Sequence, residues 1–114
     1  NNLVEKAKRL DPNSPIVWRI YANAKYFTPE AFGGDIAEAI NAYEKCLPLY
    51  EAKPETLKHN WMYLHALAFL GQAYARNGDI GKAIAIYERA LVVEPEFGWV
   101  KYSLLPKAKS KVAK

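Results

Sequence analysis

Two fourteen-residue stretches of this chain are nearly the same: "GDIAEAINAYEKCL" at 34–47 and "GDIGKAIAIYERAL" at 78–91, identical at eight positions. A chain that repeats itself at a fixed spacing folds as repeated units, so this doubling constrains the architecture before composition does. In the second copy Ile80, Ala83, Ile84, Tyr87 and Leu91 fall at i, i+3, i+4, i+7 and i+11, the single apolar stripe of an amphipathic helix. Ile36, Ala39, Ile40, Tyr43 and Leu47 repeat that stripe in the first copy. Asp35 and Asp79 are expected to cap the two helices, since a carboxylate accepts from free backbone N–H groups at the positive end of the helix dipole. Gly34 and Gly78 are expected to close the preceding helix in the left-handed conformation. Each copy therefore reads as the second helix of a pair.

The first helices follow from the same logic. "SPIVWRIYANAKYF" offers Ser14 as cap, Pro15 where a missing N–H costs nothing, and a stripe through Val17, Ile20, Tyr21 and Ala24. "KPETLKHNWMYLHALAFLGQAYARNG" predicts a helix from Pro54 to Asn77, roughly 35 Å long, burying Trp61, Leu64, Leu67, Leu70, Gly71 and Tyr74. Residues 1–11 look like the remnant second helix of a truncated repeat, with Ala7 and Leu10 preceding Pro12. With no initiating Met and no signal segment, the chain reads as a mature form or a piece of something longer. Residues 96–105 predict a short capping helix through Phe97, Val100 and Leu104, with Trp99 beside them, that Pro106 ends or kinks.

One domain over 1–114 is the expected organisation, because this length buries one core and not two. Within it, 14–53 forms a repeat with an inserted loop at 28–34, 54–95 a second repeat, and 106–114 a basic tail. No apolar run approaches the roughly 20 residues of a membrane helix. The net charge of +4 resides in Lys107, Lys109, Lys111 and Lys114, and the remaining residues sum to zero. A basic end on a neutral body is usually a solvating, frayed tail and only occasionally a contact for an acidic partner or a phosphate, so no nucleic-acid partner is expected. Cys46 excludes an internal disulfide and, standing where the second copy has Ala90, is expected to be a buried hydrophobe.

The stretch "LAFLGQAYARNGDIGKAIAIYERALVVEP" at 67–95 resembles a tetratricopeptide repeat through Leu67, Leu70, Gly71, Tyr74, Gly78, Ala83, Tyr87, Ala90 and Pro95. Residues 15–47 resemble it more loosely through Trp18, Tyr21, Ala22, Gly34, Ala39, Tyr43 and Cys46, with Lys25 where that family has an aromatic residue. Ala39 and Ala83 lie 44 residues apart, against a family period of about 34. The resemblance implies an all-α fold, a right-handed superhelical stack of antiparallel helix pairs, with about two repeats plus flanking N-terminal and C-terminal helices. It implies small residues at the helix crossings, Gly71 among them, and Tyr43, Tyr74 and Tyr87 between pairs.

No catalytic constellation is present. His59, His65 and Cys46 are too few and too poorly spaced for zinc, and no cofactor, metal or enzymatic residue is expected. Gly33-Gly34 permits either a tight turn or an anion cradle; Asp35 would repel an anion, which favours the turn, and Phe32 is expected to pack back on the helix pair. Repeats of this family hold an extended peptide or a helix on the face lined by the first helices. By that resemblance the peptide-binding groove here consists of Arg19, Asn23 and Tyr26 from one pair and His65, Gln72 and Arg76 from the next, flanked by Ile16, Phe27, Ala68 and Ala75. Arg19 and Asn23 resemble half of a carboxylate clamp, whereas Phe69 stands where the other half has Asn, so a generic groove fits better.

The expected function is a non-catalytic scaffold that binds a protein or peptide partner. The alternative is an assembly segment that self-associates, as a homodimer, through the exposed repeat edge. The "PEAFGGD" insertion resembles that of bacterial repeats, which leaves cytoplasm and periplasm both open.

Overall fold

The computed structural model describes Lys6, Arg9 and residues 11–112. The expected remnant helix at 1–11 lies, apart from Lys6, Arg9 and Asp11, outside the described residues, as does Lys114. The fold is all-α: five α-helices and no strand among the described residues. They belong to two compact units, Asn1–Pro54 and Glu55–Lys114.

The first unit is a helix pair, α1 (Pro15–Phe27) and α2 (Ile36–Glu51). Ser14 starts α1 by accepting from the Val17 N–H at 3.3 Å, with Pro15 in the first turn. The pair is antiparallel, because partners run in opposite directions: Lys25 meets Glu38, Asn23 meets Tyr43, and Arg19 meets Tyr50. Tyr21 and Ala22 carry the buried face of α1, while Ile20, expected inside, is 43% exposed. That correction reflects a rotation of the stripe toward Trp18 and Tyr21, whose rings meet edge to face at 6.3 Å.

The insertion contains a 3₁₀ turn, Glu30–Phe32, whose end is closed by Gly33 at φ 100°. Gly33, rather than Gly34, thus takes the left-handed role. Gly34 is needed for closeness: a Cβ there would lie 1.7 Å from the Thr28 carbonyl oxygen. Phe32, expected to pack back, is 80% exposed, since the short 3₁₀ turn points it outward. Asp35 caps α2 as expected, accepting from the Glu38 N–H at 3.1 Å.

Ala39, Ala42, Tyr43, Cys46 and Leu47 form the buried face of α2. Cys46 is fully buried, and burial pushes its thiol up to about 12. Burial also raises Tyr43, Tyr50 and Tyr63. A buried acid held neutral binds its proton in the folded chain at a pH where the unfolded chain has lost it. Stability is therefore fully present below the ordinary thiol range near 9.0 and declines as pH rises toward 12. The urea midpoint is expected to be lower at about pH 10.5 than at about pH 8, and Cys46→Ala should flatten part of that decline.

The second unit begins its hairpin later than the sequence predicts. The helix α3 is Trp61–Arg76, 16 residues or about 24 Å, and does not start at Pro54. Pro54–Thr56 is a separate 3₁₀ turn, and His59 adopts a left-handed φ of 63°, which breaks any continuous helix. Asn60 then restarts it, its carboxamide oxygen accepting from the Tyr63 N–H at 3.2 Å.

A turn through Gly78, at φ 88°, leads from α3 to α4 (Ile80–Val93). Asp79 occupies the cap position but makes no side-chain cap bond; its carboxylate accepts instead from Asn77 Nδ2 at 3.1 Å. The two helices meet where Gly71 lies under the ring of Tyr87, so close that a Cβ would come within 2.2 Å of it. Tyr87 thus fills the crossing inside its own pair.

Residues 98–112 form one continuous helical segment, a π turn at Val100–Leu104 followed by α5 (Leu105–Val112). Pro106 neither ends nor frays it. In an α-helix its ring would press on the carbonyl of Tyr102. The π turn widens the backbone just before that point, with the Leu105 N–H reaching back five residues to the Val100 carbonyl. Phe97, Val100, Leu104, Leu105 and Ala108 are buried, so the expected loose tail is helical through Val112.

Candidate functional site

On α1, Arg19, Asn23 and Tyr26 share one face at i, i+4 and i+7 and are each half-buried. Their polar groups are engaged within the pair. Asn23 Oδ1 accepts a close hydrogen bond from the Tyr43 hydroxyl, and Arg19 lies beside Tyr50. Burial, then the neighbouring Tyr26 and Cys46, lift the Tyr43 phenol far above its usual range, so it stays a donor to Asn23. Tyr26 stands perpendicular to Phe27, 4.8 Å between ring centres, and Phe27 is open to solvent.

A small cleft of about 90 Å³ lies between the helices of this pair, lined by Trp18, Tyr21, Glu38, Asn41, Ala42 and Lys45. Lys45 sits 4.8 Å above the Trp18 ring, and Lys25 pairs with Glu38 at 3.2 Å. The Trp18 indole N–H donates to the Pro12 carbonyl at 2.7 Å. The two charged groups of the cleft, Lys45 over the Trp18 ring and Glu38 against Lys25, are thus both engaged within the pair.

The second unit has a more distinctive surface. His65 is exposed, and its imidazole is ringed by Trp61 at 6.1 Å, Phe69 at 6.4 Å, Phe97 at 5.9 Å and Trp99 at 6.2 Å. Trp61 meets Phe97 edge-on at 5.3 Å, and Phe69 meets Trp99 at 5.6 Å. Trp61 remains 46% exposed and Trp99 37%, whereas Phe97 is the buried floor. Perpendicular rings hold one another in place with little side-chain freedom left to lose, so such a cluster presents rigid apolar area to a partner. Of the other residues expected here, Gln72 is half-buried and Arg76 exposed further along α3, while Ala68 is fully buried and unavailable for contact.

The cluster is pinned from behind. His59 Nδ1 lies 2.8 Å from Glu94 Oε1, and the Glu94 side chain is only 5% exposed. This contact joins the residue before the α3 cap to the residue after α4, which brings Trp61 and the Phe97 to Trp99 segment together. The sequence placed Trp61 in the core and Trp99 on a cap, and so missed their meeting. The available signal was the spacing of Trp61, His65 and Phe69, four residues apart and hence on one helix face.

Among the described residues no group of His, Cys, Asp or Glu could hold a metal ion. The Cys46 thiol is buried and protonated at neutral pH. The second unit is thus a helical hairpin closed by small residues, with aromatic rings displayed on its first helix. Residues 65–97 match the family model of the tetratricopeptide repeat, which supports assigning this segment to that family. The match begins at His65 and ends at Phe97, both members of the aromatic cluster. Tetratricopeptide repeats generally mediate protein–protein interaction, as non-catalytic scaffolds. No curated protein matches the chain.

Proposed function

We propose that this chain docks a protein or peptide partner on the exposed faces of its first helices, chiefly on the aromatic surface of α3, and performs no turnover. The observation that carries this reading is the ring of four aromatic side chains around exposed His65 in a segment of the tetratricopeptide repeat family. Aromatic anchors of this kind dominate the energetics of docking surfaces. On the first unit, Tyr26 and exposed Phe27 supply a smaller face of the same type, with Arg19 and Asn23 behind it. Panning a displayed random-peptide library against the full chain is expected to yield binders that lose at least tenfold in affinity on Trp99→Ala. Binders indifferent to Trp99, Trp61 and Phe27 together would reject the reading.

A second reading, assembly by self-association, is favoured by the exposed Ile16 and Ile20 on α1. Sedimentation separates the two. A monomer at tens of micromolar leaves docking ahead, and a dimer abolished by Ile16→Lys with Ile20→Lys puts assembly first.

A further inference from the structure

The helical segment at 98–112 fixes its own orientation by what it buries. Val100, Leu104 and Ala108, spaced by four, are all buried. Residues spaced by four in an undisturbed α-helix drift about 40° per step, but the π turn takes up much of that drift, so rows of four keep to one face. The row after the buried one contains Leu105 and Lys109, and Lys109 reaches Glu88 of α4 at 3.9 Å. The row before it is Trp99, Ser103, Lys107 and Lys111, all exposed. That row therefore runs on the side away from Glu88, and it begins inside the aromatic cluster, where Trp99 meets Phe69.

Its charge has no counterpart. Lys107 and Lys111 have no carboxylate partner among the described residues, and residues 97–114 hold five lysines and no Asp or Glu. Residues 1–54 contain seven charges of each sign, so the whole net +4 falls in the second unit. Apolar rings at one end and unmatched ammonium groups at the other form a surface with a direction.

We infer that the aromatic cluster and the Lys107 to Lys111 row make one docking strip for an acidic peptide segment with a single bulky apolar anchor. The inference rests on the docking function proposed above and specifies its partner. The anchor lies against Trp61, His65, Phe69 and Trp99, and carboxylates meet Lys107 and Lys111. At 1.5 Å per residue these lysines stand about 12 and about 18 Å beyond Trp99, which an extended peptide covers in roughly four and six residues. The spacing of anchor and acids is thus part of the recognition. Because the lysines are exposed, affinity should fall as salt rises.

The test is fluorescence polarisation of the full chain with three labelled decapeptides: one with a Phe anchor and Glu at four to six residues beyond it, one with Gln for Glu, and one with Gly for Phe. The first is expected to bind at least tenfold tighter than the others at low salt. Lys107→Gln with Lys111→Gln should remove about tenfold of that, Trp99→Ala at least as much, and Lys109→Gln, on the opposite side beside Glu88, nothing. The inference is overturned if Lys109→Gln costs as much as the Lys107 and Lys111 pair, or if duplex DNA or an anionic phosphatidylserine vesicle displaces the first peptide while the Gly peptide binds equally well. If the Gln peptide binds as tightly as the Glu peptide and Trp99→Ala weakens both, the acidic partner is wrong and the docking function stands. If none of the three binds and library panning also yields nothing, both fall.

Discussion

Gly71→Leu is expected to destabilise the second helix pair by at least about 3 kcal/mol, at the upper end of overpacking costs. Even the first added carbon would sit 2.2 Å from Cε1 and 2.7 Å from Cδ1 of Tyr87. Tyr87 cannot swing clear, because it is 2% exposed and enclosed by the same core. Relief requires α3 and α4 to move apart, which opens the contacts of Leu67, Leu70 and Ala83, all buried at 1% or less. With a urea dependence of about 1–3 kcal/mol per molar, the midpoint should fall by about 1 M or more. Gly81 provides the matched control: nothing lies within 4 Å of its missing Cβ, so Gly81→Ala should stabilise α4 by about 0.5–1 kcal/mol through helix propensity. Equal midpoints for Gly71→Leu and wild type would disprove the close crossing.

Gly34→Ala is the second large effect, and its neighbour makes it diagnostic. The obstructing atom at Gly34 is a backbone oxygen, that of Thr28 at 1.7 Å, which no side-chain rotation can remove. The turn must open, and with it go the bonds from the Gly34 N–H to the Pro29 carbonyl and from the Asp35 N–H to the Lys25 carbonyl, at 3.0 and 3.1 Å. Two backbone hydrogen bonds at about 1 kcal/mol each, and a disturbed Asp35 cap at about 1 kcal/mol, put the loss near 3 kcal/mol. Gly33→Ala meets no atom within 4 Å and has only its left-handed φ against it, which costs about 1 kcal/mol. Chemical denaturation of both variants measures the contrast. A greater loss at Gly33 than at Gly34 would mean that the insertion closes differently.

The helix pairs themselves were legible because their causes are local. The doubled stripe, Ser14 and Asp35 each act within a turn or two, and each does what its residue type dictates. The resemblance at 67–95 rests on packing positions, and Gly71 against Tyr87 shows why a residue without a side chain is needed there. The misread features depend on non-local or competing effects. Helical periodicity continues through "KPETLKHN", but the Asn60 cap and the left-handed His59 interrupt it. Pro106 reads as a breaker until the π turn before it removes the clash. Lys107, Lys109 and Lys111 read as a solvated tail because charge alone hides Leu105 just before them and Ala108 among them, both buried. The aromatic cluster needed tertiary information most of all. Trp61 and Trp99 are 38 positions apart and meet through Phe97, held by the His59 to Glu94 contact. Arg19 and Asn23 have the spacing of a ligand-binding face, and their places inside the pair, Asn23 accepting from Tyr43 and Arg19 beside Tyr50, were not legible from that spacing.

The three tryptophans allow the central claim to be measured directly. Each indole N–H gives its own resonance in a ¹⁵N-correlated NMR spectrum, and only two of the three belong to the proposed docking surface. Trp18 is occupied by the Pro12 carbonyl and lies on the first unit, while Trp61 and Trp99 flank His65. On titration with a library-selected peptide, the Trp61 and Trp99 indole signals and the His65 and Phe69 amides are expected to shift together with one saturation curve, and Trp18 to stay in place. Saturating binding that leaves Trp61 and Trp99 unmoved while shifting the exposed side of α4, at Glu88 and Val92, would contradict the account.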